Sequence, residues 1–232
     1  MKKLFLVALL TIAFFTVKAQ NFQTHYDFGE DRQMITTTVE MFKPDEYGST
    51  FFFVDFDYGQ KSADVDGVSL AYFEIARHLK FWEGPFELHA EYNGGMFRTS
   101  NFAAPINNAY LFGGAYTINN EDFTRVFTIE ALYKYIDKKH DASFQITAIW
   151  GLHFMDRKVS FMGFADFWRE DNVVFDDHGN ASEADYVFLA EPQLWYNFNK
   201  HLSAGSEIEI SSNFGANKGF MVNPTLALKW NF

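Results

Sequence analysis

Cysteine is missing altogether from the 232 residues, and proline occurs only 5 times. Without cysteine there is no disulfide framework, no thiol nucleophile and no thiolate metal site. With so few prolines, long stretches stay free to pair as β-ladders. Positive charge is also scarce: 19 Lys and Arg stand against 30 Asp and Glu, a formal net charge of -11. That balance excludes binding to a phosphate backbone, so no nucleic-acid partner is expected. No apolar run is long enough to cross a membrane as a helix. The one from Leu4 to Phe15 falls short of the roughly 20 residues required. Catalytic patterns are thin as well. The histidines at 25, 78, 89, 140, 153, 178 and 201 are scattered, and no Ser/His/acid order is identifiable. The acidic stretch "FDDHGNASEAD", residues 175 to 185, departs from the spacing of a calcium loop and reads as a solvated outer loop. No metal site, catalytic set or cofactor is expected.

What is present begins with "MKKLFLVALLTIAFFTVKAQ". Lys2 and Lys3, a short apolar run and Val17-Lys18-Ala19 have the form of a bacterial secretory signal peptide, with cleavage before Gln20. The expected organisation is therefore a signal peptide at 1–19 and one domain at 20–232. Without Lys2, Lys3 and Lys18, the remainder carries 16 basic against 30 acidic residues, a net charge near -14. Aromatic residues make up 19% of the chain, and phenylalanine alone occurs 29 times. A soluble domain avoids exposing that much ring surface, whereas a barrel that presents rings to lipid uses it routinely.

Period-two alternation recurs along the chain. In "TFFFVDFDYG", Phe52, Val54, Phe56 and Tyr58 share one face, and Phe51, Phe53, Asp55 and Asp57 share the other. "FELHAEY", "SFQITAIWGLHF", "VFLAEPQLWYNF", "HLSAGSEIEIS" and "FMVNPTLALKWNF" repeat the pattern, and none has helical spacing. About twelve such runs are found, at 22–28, 34–42, 49–58, 66–78, 85–93, 107–117, 123–136, 141–153, 157–168, 185–198, 202–213 and 219–232. An even strand number suits a closed antiparallel transmembrane β-barrel of the outer-membrane type, with both ends of the chain in the periplasm. Short connections at 43–48, 79–84, 118–122, 155–156 and 199–201 fit periplasmic turns, and 94–106 and 169–184 fit outer loops. A lipocalin-like soluble barrel would instead leave Phe51 and Phe53 exposed beside the aspartates. An open sandwich would leave edges that hydrocarbon cannot satisfy.

The barrel places the apolar face toward lipid and the polar face toward a lumen. His25, Asp27, Glu40, Asp55, Asp57, Glu87, His89, Glu91, Glu130, Asp166, Glu191, Glu207 and Glu209 then point inward, with Lys134, Lys158 and Lys229 as basic counterparts. Twelve strands lie between barrels filled by side chains and open porins, so a narrow or plugged pore is expected. Carboxylates accept hydrogen bonds from hydroxyls and amines, and neighbouring rings offer stacking surfaces. A nucleoside carries both features. The bland alternative is an interior of carboxylate–cation pairs.

"TTTVEMFKPDEYGSTFFFVDFDYG", followed by "YFEIARHL", "MGFADFW", "EPQLWYNF" and "LALKWNF", resembles the nucleoside-specific channel-forming family of outer-membrane proteins, the Tsx type. The matching residues are Glu40, Gly48, Phe51, Phe53, Val54, Asp55, Glu74, Arg77, Gly163, Phe164, Ala165, Asp166, Pro192, Gln193, Leu194, Lys229, Trp230 and Phe232. The resemblance implies a narrow monomeric twelve-stranded channel for nucleosides. With the face assignment, it yields a solute-binding lumen set of Glu40, Phe51, Phe53, Asp55, Asp57, Glu74, Arg77, Asp166 and Gln193. Trp230 and the terminal Phe232 resemble the signal read by outer-membrane assembly machinery. The expected partners are thus lipid, that machinery and a small solute. Two other readings stay open: a general narrow porin, and a barrel hydrolase built on Glu87, His89 and Glu91.

Overall fold

Strand follows strand from Gln20 to Asn231 in the computed structural model, which describes residues 20–139, 141 and 143–232. The expected signal peptide at 1–19 lies outside the described residues. The strands are β1 (Gln20–Asp27), β2 (Ile35–Asp45), β3 (Gly48–Tyr58), β4 (Val68–Leu79), β5 (Phe86–Arg98), β6 (Ala103–Asn119) and β7 (Arg125–Ile136). They continue with β8 (Ser143–Phe154), β9 (Val159–Phe175), β10 (Ala181–Ala190), β11 (Gln193–Asn197), β12 (Leu202–Ser212) and β13 (Phe220–Asn231). Neighbours pair antiparallel around the ring, and β1 pairs with β13, so the sheet closes. No helix among the described residues is long and apolar enough to cross a membrane. The chain crosses with strands.

The expected tenth strand is present in two halves. β10 and β11 both lie between β9 and β12, separated by Glu191 and Pro192. The fold is thus a closed twelve-stranded barrel with one wall strand broken in two. Proline has no N–H to give a ladder, yet the break stays tied on both sides. The Glu191 N–H donates to Phe164 O at 3.0 Å, and the Ile208 N–H donates to Pro192 O at 3.0 Å. Opposite the break, Gly163 has φ +144°, and a Cβ there would stand 2.2 Å from the Glu191 carbonyl oxygen.

Two expected outer loops are instead largely strand. β5 runs to Arg98 and pairs there with Ala103 of β6, and Phe175 at the tip of β9 pairs with Ala181 of β10. The first of these expected loops starts at Gly94. In the fold, Gly95 sits in the ladder opposite Tyr72, where a Cβ would come within 2.2 Å of the Ala71 carbonyl. The glycine serves close backbone approach rather than a reversal.

The barrel is inverted relative to a soluble protein. Phe22, Leu88, Phe112, Tyr133, Leu226 and Leu228 are exposed on the outer face, while Gln23, His25, Asp27, Glu130, Lys134 and Lys229 are buried inside. Rings gather toward both rims of the outer face. Tyr92, Tyr110 and Tyr135 adjoin at 5.3 and 6.3 Å, and Phe86 meets Tyr116 at 4.9 Å. A closed sheet that is apolar outside, ionic inside and belted by aromatics is an outer-membrane barrel. Gln20 and Phe232, the ends of the described barrel, meet at one rim, where the Phe232 N–H donates to Gln20 O at 3.1 Å.

Gly163→Val should destabilise this wall by about 1–3 kcal/mol, because a side chain forces a backbone that only glycine adopts freely. The folded, fast-migrating form on unheated gels is then lost at a lower temperature than in wild type. An unchanged transition temperature would show that the break tolerates a side chain on its neighbour.

Candidate functional site: an acid-lined slit

Part of the lumen is packed shut. Trp195 is fully buried, with Lys229 Nζ 3.9 Å from its ring centroid and the His25 ring edge-on at 6.0 Å. Lys134 Nζ sits 4.1 Å from the centroid of Trp168 and donates to Gln145 at 2.8 Å. Each lysine thus lies against a ring that attracts its charge, and these two clusters fill the barrel beside β1, β7, β8 and β13.

The side chains left half-buried mark where the lumen stays accessible. On one side these are Phe51, Phe53, Asp55 and Asp57 of β3 with Tyr72 and Glu74 of β4. On the other they are Phe164 and Asp166 of β9, Gln193 of β11 and Glu207 of β12, with Glu191 at the break. The two walls confront each other within electrostatic reach. Asp55 acts on Glu207 and Glu191, and Glu74 on Asp166. Between the two walls lies a slit flanked by carboxyl groups.

Register explains how the acids are held. Asp55 pairs with Thr38 and Asp57 with Thr36, and each threonine hydroxyl donates across the ladder, at 2.5 and 2.6 Å. Thr147 does the same for Asp166 at 2.6 Å, Gln193 for Glu207 at 2.5 Å and Asn21 for Glu40 at 2.8 Å. These donors are neutral. They orient the carboxyl groups without adding a countercharge. Beside the acids runs a short aromatic ladder: Phe51 to Phe53 at 5.8 Å and Phe53 to Tyr72 at 5.7 Å.

Arg32 stands at the outer mouth. The connection between β1 and β2 folds inward, pinned by Lys61 N–H to Arg32 O at 2.9 Å and Ser62 N–H to Asp31 O at 3.0 Å. Its guanidinium reaches Asp27 at 2.9 Å and Glu209 at 2.5 Å. Burial works against its charge, but Glu209 and Asp27 outweigh that and hold its pKa above the ordinary arginine value.

Most of the expected lumen set meets in this slit: Phe51, Phe53, Asp55, Asp57 and Glu40 along one wall, with Glu74, Asp166 and Gln193. Arg77 does not. It lies in outward register three residues from Glu74, and forks onto Asp45 at 2.6 and 2.8 Å near the periplasmic rim. Odd spacing along a strand reverses the face, so Glu74 and Arg77 cannot share the lumen. Lys158 is also misplaced by the pattern, since it sits exposed in the 155–158 turn. Trp230 faces outward and stacks on His201 at 5.3 Å. His89, the centre of the hydrolase alternative, is held by Glu91 at 3.0 Å and by His78 at 2.9 Å. Arg32, Tyr72 and the orienting threonines were not singled out from sequence. The "TTTV" run opposite two aspartates is the one signal that points to the threonines.

The family described as "Domain of unknown function (DUF5020)" matches residues 19–232. No curated protein sequence matches. Among solved structures, the chain is similar to the NanC porin, at 9% identity and TM-score 0.60 over 92% of this chain and 100% of that one. It is also similar to the KdgM porin in complex with disordered oligogalacturonate, at 11% identity and TM-score 0.51 over 92% and 99%. At such identities the likeness is one of fold. The matching family is not the Tsx type that the short motifs resemble. Those motifs alternate rings and acids along a wall strand, a pattern any barrel with an aromatic and acidic lumen can show.

Arg32→Ala should cost about 3 kcal/mol of barrel stability in a urea titration, since it strands two buried carboxylates. Combining it with Asp27→Asn and Glu209→Gln should restore most of the loss. No recovery would mean that the guanidinium acts through packing rather than charge.

Proposed function

The chain belongs to the family described as Domain of unknown function (DUF5020), and we propose that it is an outer-membrane channel for small hydroxylated solutes of neutral or positive charge, nucleosides foremost. The observation that carries this is the slit itself, in which an aromatic ladder runs beside carboxylates held by neutral donors. A flat ring can lie against Phe51 and Phe53 while its hydroxyls donate to Asp55, Asp57 or Glu40. Oligogalacturonate, the acidic sugar oligomer in the KdgM complex, is a poor match for such a wall, because like charges repel across a narrow lumen. A hydrolase is not favoured. Both ring nitrogens of His89 are engaged by neighbours, so neither is free to take a proton from a nucleophile. One chain encloses the slit, which suits a monomer.

A channel must bind weakly enough to release its cargo. Millimolar affinity corresponds to about 4 kcal/mol. Phe53→Ala should weaken nucleoside block of ion current roughly tenfold, equivalent to about 1.4 kcal/mol. Asp55→Asn should lower cation preference, and Phe52→Ala, on the lipid face, should alter neither. Planar-bilayer recordings with uridine, a sugar of similar size and oligogalacturonate decide the matter. Equal permeation of uridine and sugar, unchanged in Phe53→Ala, would reduce the protein to a general narrow porin.

Trp230 and Phe232 complete the reading as the assembly signal of the last strand. Deleting Phe232 should lower the amount of heat-modifiable barrel in the outer membrane. Undiminished assembly would remove that role.

A further inference from the structure

We infer that the lumen wall near the periplasmic end holds a transition-metal site of the zinc class, formed by His78 of β4, His89 of β5 and Glu130 of β7. Three donor atoms converge there. His78 Nε2 lies 2.7 Å from Glu130 Oε1, His89 Nδ1 lies 2.9 Å from His78 Nε2, and His89 Nδ1 lies 3.4 Å from Glu130 Oε1. A point about 1 Å off the plane of that triangle is about 2 Å from all three atoms, the bond length zinc makes to imidazole nitrogen and carboxylate oxygen. Two imidazoles and one carboxylate make a ligand set suited to Zn²⁺, Co²⁺, Ni²⁺ or Cu²⁺. Three protein ligands leave a coordination position for water or a solute atom.

The surroundings have the form of a built site. Ligating histidines usually anchor their second nitrogen on an outer partner, which sets the tautomer. Here His89 Nε2 meets Glu91 Oε2 at 3.0 Å, and His78 Nδ1 meets Ser49 Oγ at 3.5 Å. His89 and Glu130 are each only 2% exposed. They lie on strands separated by β6, and β6 clears the way between them. Gly113 pairs with His89, and Ala115 pairs with Glu130. A Cβ on Gly113 would stand 2.1 Å from the Ala131 carbonyl oxygen, so the gap is enforced by the backbone. A metal ion held by these three groups ties three strands together, and because imidazole ligates only through an unprotonated nitrogen, binding weakens as pH falls. The site goes beyond the channel reading and does not depend on it.

The test uses the barrel purified in detergent, prepared without a histidine tag. Zn²⁺ is titrated calorimetrically, and Co²⁺ is followed by its visible absorption. Wild type should take one equivalent of Zn²⁺, and its Co²⁺ complex should show the intense bands of a low-coordinate nitrogen–oxygen site. His89→Ala and His78→Ala should each abolish stoichiometric uptake. Glu91→Gln, which touches the metal only through His89, should weaken it about ten- to hundredfold. His178→Ala, in an exposed outer connection, should leave it intact. Heat-modifiable gel mobility confirms that each variant is folded. Should His89→Ala fail to fold, His78→Ala and Glu91→Gln carry the decision. No stoichiometric binding to the folded wild type, or binding that survives in the folded ligand variants, overturns the site.

Discussion

Hydrocarbon offers no hydrogen bonds, so every backbone N–H and C=O inside it must find a partner within the protein. That constraint organises the whole molecule. A sheet can meet it only by closing, and pairing of β1 with β13 closes this one. Closure then determines where the charges go. Each strand must show lipid an apolar face, since a lysine or arginine there costs roughly 2–4 kcal/mol near the midplane. The remaining residues of twelve strands are driven into one narrow interior. The acidic crowding of the slit is therefore a consequence of the outer surface as much as a feature of the inner one. Arg32, Lys134 and Lys229 offset part of it, and threonine, glutamine and asparagine donors order the rest.

A strand break and a run of small residues fall next to the groups with chemistry. The break at Glu191 and Pro192 places a carboxylate within reach of Asp55 and Glu207, and Gly163 gives it room. On the far side of the ring, Gly113 and Ala115 remove side chains from β6, so that His89 and Glu130 meet across a whole strand. In both places a small residue permits an approach that a uniform wall would forbid. A barrel built only for stability has less need of either irregularity.

Much of this was legible beforehand, for a definite physical reason. Period-two alternation is a local signal, so all twelve wall strands and the lipid face of Phe52, Val54 and Phe56 follow from reading along the chain. Strand ends were harder, because pairing extends past the membrane wherever the partner strand continues, as at Arg98 and Phe175. Across-barrel contact was not legible at all. That Glu74 looks at Asp166, or that His78 meets Glu130 52 residues away, depends on register and curvature summed over several strands. Arg77 shows the limit of matching motifs without parity: a short pattern carried it into the lumen, and its position on the strand sends it outward.

The same considerations separate fold from cargo. Strand number and closure are shared with porins that are only about a tenth identical, since the bilayer imposes them on any chain that solves the problem. The lumen is under no such obligation. Its inward positions are filled by whatever side chains suit the solute, and their charge can reverse without disturbing a single ladder hydrogen bond. A fold held with an acidic oligosaccharide in one protein can therefore present carboxylates in another. In this chain the inward positions of β2, β3 and β4 alternate hydroxyls, acids and rings. Under the proposed channel function, that surface takes donors and flat faces and resists anions, and cargo is set at these positions rather than in the architecture that displays them.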